Sequence, residues 1–503
     1  MFVCMFFSSL IINFSIRYLT TTGHKLIGVL YGYSGYIGGL LGFFFSMWIR
    51  AELALPGLPV VRKVKEVSVY NHWITVHGLI MLFLFVMPIA IGFYGNFLLP
   101  LLIGASELSM PRINGVSYWM LFAAGCLFLM ADLLMDKPIA SGWTLYPPLS
   151  TRDAENSGVS TDLGILTIHL LGFSSGLGSL NYLSTSKHQR HLGLSLLSMS
   201  LFVWSIIVTS VLLVGALPIL GVAVTGLLLD RNIATSIYDG ITSGDPVLYQ
   251  HIFWFFGHPE VYVIILPIFG LVSLVLSSIT HKEIFGKQGM VYCMSAIGIV
   301  GYFVWSHHMF TVGLDVDSRA YFSAATAVIS IPTAVKVFSY LATWTSGRGP
   351  RGSSITYAFW SFLICFTAGG FTGLILSSAS LDLILHDTYF VVAHFHTVLS
   401  LGAVFGLLVG HYYFQSIFLG VSVMESWGLY QVFNLLLGAI LVFFPMHIAG
   451  LAGMARRIPE YSDIFIPSVT VGTTGSFLLI FSVLILLRSM LMTWTNVIYA
   501  NYR

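Results

Sequence analysis

Twelve apolar segments, each long enough to cross a membrane, constrain this chain more than any other feature of its sequence. A membrane span needs about 20 consecutive apolar residues, and 57% of the 503 residues are hydrophobic while only 8% are charged. A soluble domain carries roughly 25% charged residues, so too few ions remain here to cover a water-facing surface. Lipid offers no partner to backbone N–H and C=O groups, so such segments must be helices. We therefore predict an all-α polytopic membrane protein, in which residues 1–503 form a single domain of 12 transmembrane helices.

The predicted spans leave an uneven distribution of acidic residues in the connecting loops. Lys and Arg divide eleven to ten between the two sides, so the positive-inside rule does not choose an orientation. Acidic residues number three on the side of the two termini and sixteen on the other side. That acid-rich side would attract a basic protein, whereas the net charge of +2 argues against a nucleic-acid partner. The predicted spans are 26–49, 73–104, 117–135, 162–185, 195–229, 249–280, 288–310, 319–345, 354–378, 388–416, 427–450 and 464–487.

Two charged residues, Glu260 and Lys336, fall well inside predicted spans. A charge at the centre of a span costs about 2.5–3.5 kcal/mol even on insertion scales. A structural ion pair is the simpler explanation, but ionisable residues within membranes mostly mark ion or proton paths. We therefore expect both residues to be functional.

Three histidines in two neighbouring spans have the pattern of metal ligands. His258 and Tyr262 are four residues apart in WFFGHPEVY, so they share one helix face. His307 and His308 are adjacent in VWSHHMF near the end of the next span. Buried neighbouring imidazoles indicate a bound metal, and imidazole suits copper, zinc, iron or nickel. The spacing alone does not identify the metal.

A third pattern indicates that one helix could hold two cofactors. His394 and His396 lie two positions apart in HDTYFVVAHFH, so they point to different sides of a helix. His77, in the second span, is a plausible partner for one of them. Two histidines on one iron make an electron carrier, whereas one histidine leaves a position open for oxygen.

These motifs together resemble subunit I of the haem-copper oxidases, from about residue 24 to 490. The segments that carry the resemblance are WFFGHPEVY, VWSHHMFTVGLDVD, IPTAVKVFS, LHDTYFVVAHFH and GMARR. Glu260 and Tyr262 share a helix with His258, which is similar to the A-type enzymes, including the mitochondrial one. The resemblance implies twelve helices that enclose two haems of type A and one copper ion.

The resemblance also assigns ligands. It implies that His77 and His396 bind haem a and that His394 binds haem a3. It implies further that Tyr262 is cross-linked to His258 and supplies an electron and a proton. The implied ligands of the copper ion called copper B are His258, His307 and His308.

Further residues are implied around the haems and at other ions. Arg456 and Arg457 would pair with the haem propionates, since the guanidinium fork suits carboxylates. Trp143 and Tyr389 would lie nearby, and Arg50 would contact the formyl group of haem a. The implied ion ligands are His386 and Asp387 for a Mg²⁺ shared with a partner subunit, and Glu52 and Gly57 for a weak Ca²⁺ or Na⁺ site.

Two proton routes are also implied. One includes Thr333 and Lys336 and leads to Tyr262. The other begins at residue 107, passes Asn96 and Asn114, and ends at Glu260. The usual entry residue is Asp, but this chain reads GASELSMPR with Glu107, and it also has Ala455 where the family usually has Pro. We expect Glu107 to be exposed and ionised, and Ala455 to matter little.

The implied activity is that of a proton-pumping oxidase that reduces O₂ to water with electrons from cytochrome c. Those electrons would enter through a copper-A centre on subunit II, because this chain has no pair of cysteines for it; subunit III is a further expected partner. The expected location is the mitochondrial inner membrane, with the bacterial plasma membrane as the alternative.

Three rival functions remain open at this stage. A quinol oxidase subunit I of the same family tends to have His and Gln where this chain has Val69 and His72. Nitric oxide reductases typically lack the equivalents of Tyr262 and Lys336. A transporter would explain twelve spans and buried charges, but it would not explain the five histidines of the three motifs.

Overall fold

The computed structural model describes residues 19–54, 67–133, 137–151, 158–420 and 424–501, and these residues are mainly α-helical. Within these ranges, eleven helices are long and apolar enough to cross a membrane, and β-pairing is limited to one isolated bridge between Thr388 and Ala455. The all-α prediction is therefore confirmed. The longer helices are α1 (His24–Ala54), α2 (Ser68–Ile103), α3 (Pro111–Leu133), α4 (Val159–His188), α5 (Leu201–Asn232), α6 (Pro246–Thr280), α7 (Lys287–Gly301), α8 (Val316–Thr345), α9 (Ser354–Ser377), α10 (Tyr389–Phe418), α11 (Glu425–Leu451) and α12 (Ile466–Asn501), and a short helix, Ala379–Leu385, precedes α10.

The seventh predicted span, 288–310, is not one continuous helix. Helix α7 ends at Gly301, and a short 3₁₀-helix from Trp305 to Met309 follows it. The 3₁₀ segment carries His307 and His308, so the chain departs from α-helical geometry where the sequence predicts metal ligands. Because α7 alone has only 15 residues, it is the predicted span that the eleven long helices do not include.

Contacts divide the chain into two compact units. The first contains the described residues of 1–43 and 75–256, and the second those of 44–74 and 257–503. All three boundaries between them cut through helices, so the units are not separate sequence domains, and the single-domain assignment stays a prediction.

Glycines allow helices to pack closely within each unit. In the first unit, a Cβ atom on Gly38 of α1 would lie 2.3 Å from the carbonyl oxygen of Leu84 in α2. In the second unit, a Cβ atom on Gly475 of α12 would lie 2.6 Å from the carbonyl oxygen of Gly438 in α11. Helices in lipid associate mainly by close packing, which small residues permit.

Candidate functional site

The three histidines predicted to bind copper lie together in the second unit. One ligand atom from each of His258, His307 and His308 lies within 4.8 Å of the others. The Nδ1 atom of His258 is 3.2 Å from the Nε2 atom of His307. In the part of the chain that the structure describes, these three histidines form a group of side chains that could hold a metal ion.

A threonine of α8 fixes which nitrogen of His307 can bind a metal. The hydroxyl group of Thr326 donates its hydrogen to the carbonyl oxygen of Phe322 at 2.5 Å, so the same oxygen must accept from Nδ1 of His307 at 2.9 Å. His307 then carries its hydrogen on Nδ1, and its Nε2 lone pair points to His258. Metal-bound histidines commonly have such a partner on the other nitrogen, so the donor set fits copper.

Tyr262 lies against His258 on the same face of α6. Their ring centroids are 4.5 Å apart, with the rings at 66° to each other. The absence of a side chain at Gly301 makes room for this pair, because a Cβ atom there would lie 2.9 Å from Cδ2 of Tyr262. The buried Nε2 atom of His258 has no hydrogen-bond partner among the described residues.

The predicted haem ligands share one hydrogen-bond pattern. Nδ1 of His77 donates to the carbonyl oxygen of Gly42 at 2.8 Å, and Nδ1 of His394 donates to that of Gly369 at 3.0 Å. Nδ1 of His396 donates to the carbonyl oxygen of Val392 at 2.8 Å. A carbonyl oxygen can only accept, so each imidazole carries its hydrogen on Nδ1 and keeps its lone pair on Nε2. This arrangement fits iron ligation.

Helix geometry changes just after two of these ligands. A π-helical segment, Ile80–Val86, begins three residues after His77, and another, Thr397–Ala403, begins directly after His396. π-Helical segments are rare in proteins, and those that occur lie frequently at functional sites. The sequence analysis did not predict them, because hydrophobic periodicity does not distinguish a π-turn inside a helix.

The arginines predicted to bind haem groups have different surroundings. Arg456 donates from Nη2 to Asp387 at 2.5 Å, while its buried Nε has no hydrogen-bond partner among the described residues. Arg457 has a positive φ of 62°. Arg50 is buried on α1 and donates from Nη2 to the carbonyl oxygen of Val469 at 3.1 Å. The unpartnered Nε of Arg456 fits a propionate, although its Nη2 is engaged by a predicted magnesium ligand.

Two aromatic residues predicted near the haems are each packed within one unit. The ring of Trp143 makes edge contacts with Phe253 and Trp254, and a Cβ atom on Gly78 would lie 3.3 Å from Cβ of Trp143. Trp143 therefore lies beside the residue that follows His77. Tyr389 is 6% exposed and begins α10.

Of the four residues predicted to bind Mg²⁺, Ca²⁺ or Na⁺, the structure describes three, namely His386, Asp387 and Glu52. Nδ1 of His386 lies 3.0 Å from a carboxylate oxygen of Asp382, and Nε2 of His386 lies 3.9 Å from Asp387. Sequence reasoning missed Asp382, which the i,i+4 spacing to His386 could have indicated. Glu52 is buried at 8% exposure, and Gly57 lies outside the described residues.

Glu107 is not the exposed collector that the sequence predicts. Its side chain is half-buried, and its carboxylate accepts from the backbone N–H of His24 at 3.0 and 3.1 Å. The same carboxylate accepts from the N–H of Leu108. The longer Glu side chain thus binds the first turn of α1, where unsatisfied N–H groups need acceptors.

A series of buried polar groups follows Glu107 within the first unit. Nδ1 of His24 lies 2.8 Å from the carbonyl oxygen of Asn96, and Asn96 donates to the hydroxyl group of Tyr182 at 2.7 Å. Asn114 is 1% exposed, and its amide has no hydrogen-bond partner among the described residues. Sequence reasoning missed His24 and a second buried polar group in the same unit. In that group the hydroxyl groups of Tyr31 and Ser117 hydrogen-bond to each other, and Ser174 donates to the carbonyl oxygen of Ser117.

The two intramembrane charges both lie in the second unit. Glu260 is 2% exposed, and neither of its carboxyl oxygens has a hydrogen-bond partner among the described residues. Lys336 is fully buried, and its Nζ atom lies 4.7 Å from the centroid of the Phe269 ring. Thr333, which lies one turn before Lys336, donates to the carbonyl oxygen of Ile329. A structural ion pair between Glu260 and Lys336 is therefore absent.

Comparison with known proteins identifies the family. Residues 26–487 match the family described as cytochrome c and quinol oxidase polypeptide I. This chain belongs to that family. It is 45% identical to cytochrome c oxidase subunit 1 of Candida albicans over 480 residues, which are 95% of this chain and 90% of the relative. It is 44% identical to cytochrome c oxidase subunit 1 of Eremothecium gossypii, over 96% of this chain and 88% of the relative.

A solved structure supports the fold. The chain superposes on a haem-copper terminal oxidase studied as a dimer, with a TM-score of 0.76 over 93% of this chain and 84% of that one. At 17% identity, this likeness concerns the fold alone. The family and the two relatives confirm the haem-copper oxidase resemblance, and the relatives favour the cytochrome c interpretation over the quinol alternative.

Proposed function

We propose that this chain is the catalytic subunit I of a cytochrome c oxidase, which reduces O₂ to water with electrons from cytochrome c. The observation that carries the proposal is the cluster of His258, His307 and His308 with Tyr262 against it. The extensive identity to oxidase subunits supports it. The haem iron and the copper, when bound, supply the centre at which oxygen receives electrons and protons.

The chain's own residues would hold those groups. His77 and His396 bind haem a, His394 binds haem a3, and copper B is held by the three-histidine cluster. The Nδ1 hydrogen bonds to backbone carbonyls orient the haem ligands and leave the Nε2 lone pairs for iron. Both haems are of type A in this proposal.

Several residues position the haem edges. Arg456 and Arg457 bind the propionates, Arg50 binds the formyl group of haem a, and Trp143 and Tyr389 pack nearby. The unpartnered Nε of Arg456 and the buried guanidinium of Arg50 support these roles. Guanidinium groups offer donors in a fixed geometry that suits carboxylates.

One proton route leads to Tyr262 through Lys336 and Thr333. Tyr262, cross-linked to His258, holds a proton and an electron at the oxygen-reducing centre. Lys336 binds and releases the protons that reach it. Its full burial without a structural ion pair supports a transport role.

The other route begins at Glu107, continues by Asn96 and Asn114, and delivers protons through Glu260 for pumping. The buried imidazole of His24 and the buried hydroxyl group of Tyr182, both in contact with Asn96, support the first part of this route. Glu260 acts as the relay because its carboxyl group is buried and has no hydrogen-bond partner in the part of the chain that the structure describes. Glu107 combines proton collection with binding to the start of α1.

The proposal extends to ions, partners and location. His386 and Asp387 bind Mg²⁺, and Glu52 and Gly57 bind Ca²⁺ or Na⁺. The partners are subunit II, which bears the copper-A centre, subunit III and cytochrome c. The fungal relatives and the membrane-spanning helices support a place in the mitochondrial inner membrane.

A pyridine haemochrome spectrum combined with copper analysis of the purified complex tests this function. We expect two haems of type A and one copper ion in this chain, beside the copper of subunit II. A single haem, or haem B alone, would contradict the proposal. A transporter would give no haem band.

A further inference from the structure

Lys336 has an unusual environment for a residue that must receive protons. It is fully buried, and its Nζ atom has no hydrogen-bond partner among the described residues. Two aromatic rings lie near this atom: Nζ is 4.7 Å from the ring centroid of Phe269 and 5.9 Å from that of Tyr340. A ring face stabilises a cation but cannot supply a proton, so a neighbouring group must do so.

The hydroxyl group of Tyr340 is a suitable candidate on the same helix face. Tyr340 follows Lys336 by four residues on α8, so the two side chains are neighbours. Its hydroxyl oxygen lies 2.8 Å from the carbonyl oxygen of Phe269 and 3.0 Å from Oγ of Ser273. All three side chains are buried.

Ser273 allows the direction of the hydrogen bonds around Tyr340 to reverse. Its Oγ also lies 2.7 Å from the carbonyl oxygen of Phe269. Two hydroxyl hydrogens are therefore shared among three oxygens that lie within hydrogen-bond distance of one another. Either hydroxyl can donate to the other while the second donates to the carbonyl, and a switch between these arrangements reverses the direction of the bonds.

Polar groups continue from Tyr340 toward the C-terminal end of α8. Thr343 is fully buried, donates to the carbonyl oxygen of Ser339 at 2.6 Å, and accepts from the N–H of Phe285 at 2.9 Å. At the end of the helix, Lys282 binds the hydroxyl group of Ser346. Hydroxyl groups therefore occur between the helix end and Lys336.

We propose that Tyr340, together with Ser273, is the proton relay that supplies Lys336 from the C-terminal end of α8. The Tyr340 hydroxyl gives its hydrogen to the neutral amine of Lys336, whose flexible stem lets Nζ reach it. Tyr340 takes a replacement hydrogen from Ser273, which in turn takes one from a hydronium ion that enters from the helix end and becomes water. Each hydroxyl oxygen loses one O–H bond and forms one, so the amine gains the charge that the hydronium ion loses.

This inference rests on the proposed role of Lys336, and the test separates the two. Tyr340→Phe removes the hydroxyl group but keeps the ring beside Lys336 and its packing on Phe359 and Phe362. In the purified oxidase complex, we expect reduction of the oxygen-binding centre to slow roughly 10- to 100-fold, the scale of a lost proton-transfer group. Tyr412→Phe is the matched control, because Tyr412 is also buried in the second unit and donates to Gln431.

Combining variants shows whether Tyr340 acts through Lys336. We expect Tyr340→Phe to cause no additional loss in a Lys336→Met background. A wild-type reduction rate in Tyr340→Phe, with Lys336→Met blocked, would overturn this inference and leave the Lys336 route intact. Normal rates in both variants would overturn the Lys336 route and the relay together.

Two further measurements cover a Tyr340 variant that does not assemble. Ser273→Ala should slow reduction and Ser273→Thr should restore it, because only the latter keeps a hydroxyl group; equal rates in the two would contradict the relay. Infrared spectra of the oxidised complex with isotope-labelled tyrosine provide a readout that does not depend on turnover. The Tyr340 band, assigned by its loss in Tyr340→Phe, should shift in Lys336→Met, and an unchanged band would count against the relay.

Discussion

The Nε2 atom of His307 lies 3.2 Å from the Nδ1 atom of His258, and Thr326 determines that the His307 nitrogen carries a lone pair. Metal–nitrogen bonds to imidazole are about 2.0–2.1 Å long, so two nitrogens at this separation can share one ion. His258 and His307 come from different elements, α6 and the 3₁₀ segment after α7. The protein therefore arranges this pair through tertiary packing rather than through sequence spacing.

The role of Thr326 leads to a first prediction. Thr326→Val removes the acceptor for Nδ1 of His307 at nearly constant volume, so copper binding or activity should fall by about 10- to 100-fold, as for other outer partners of metal ligands. His307→Asn should abolish O₂ reduction entirely while the spectrum of haem a remains. Copper analysis and oxygen consumption measure both effects. Full copper occupancy in Thr326→Val, with unchanged turnover, would show that this hydrogen bond is dispensable.

A second prediction concerns Glu260. Glu260→Gln keeps the shape and polarity of the side chain but removes its titratable proton. We expect turnover to fall by about 10²- to 10⁴-fold, the usual contribution of a positioned proton-transfer group, with the loss confined to steps that take up protons. Time-resolved oxidation of the fully reduced enzyme measures those steps separately. Normal proton uptake in this variant would remove Glu260 from the route.

Glu107 gives a third prediction, because its carboxylate has a structural contact. Glu107→Gln should slow turnover and reduce pumping, since an amide cannot collect protons. Its amide oxygen can still accept from the N–H of His24, so the thermal midpoint should change little. Glu107→Ala removes the acceptor as well, and loss of such a cap costs about 0.5–2 kcal/mol.

Glu107→Asp separates these two functions. It keeps the carboxylate, so turnover and pumping should be preserved, but its shorter stem should weaken the contact with α1. Pumping in reconstituted vesicles and thermal unfolding of the complex provide the two measurements. Normal pumping by Glu107→Gln would place the entry of this proton route at another residue.

A fourth prediction concerns the helix that carries His394 and His396. A Cβ atom on Gly450 of α11 would lie 2.0 Å from the backbone nitrogen of Phe390 in α10. Gly450→Ala must therefore displace one helix, at a cost of about 1–3 kcal/mol or more, and should lower the thermal midpoint and perturb the haem spectra. Gly370→Ala is the control, since nothing lies within 4 Å of a Cβ atom there. Equal behaviour of the two variants would refute the close contact.

The sequence was sufficient for the large-scale fold but not for local breaks in helix geometry. Apolar length predicts spans because lipid leaves the backbone few alternatives. Continuous hydrophobicity over 288–310 conceals the end of α7 at Gly301 and the 3₁₀ turn that carries His307. Tertiary contacts there outweigh the local pattern, and no periodicity reveals them.

The candidate site was predictable where its residues form short motifs. His258 and Tyr262 share a helix face by spacing alone, and the structure places their rings together. The contact between Glu107 and His24 spans 83 residues of sequence, and the hydrogen bond between Ser273 and Tyr340 spans 67. Long-range hydrogen bonds of this kind depend on packing between helices, so a single sequence does not reveal them.

The carbonyl oxygens that accept from His77, His394 and His396 also bear on the reduction potentials of the haems that these histidines would hold. A carboxylate partner would make an imidazole more anionic, which strengthens its bond to oxidised iron and lowers the reduction potential. All three histidines instead donate to neutral peptide groups, and the further neighbour of His394 Nδ1 is the neutral hydroxyl group of Thr372. Iron centres held by these histidines, as proposed above, should therefore have comparatively high midpoint potentials, which would let them accept electrons from a mild donor. Peptide groups have no titratable proton, so these partners keep the same charge when the pH on either side of the membrane changes.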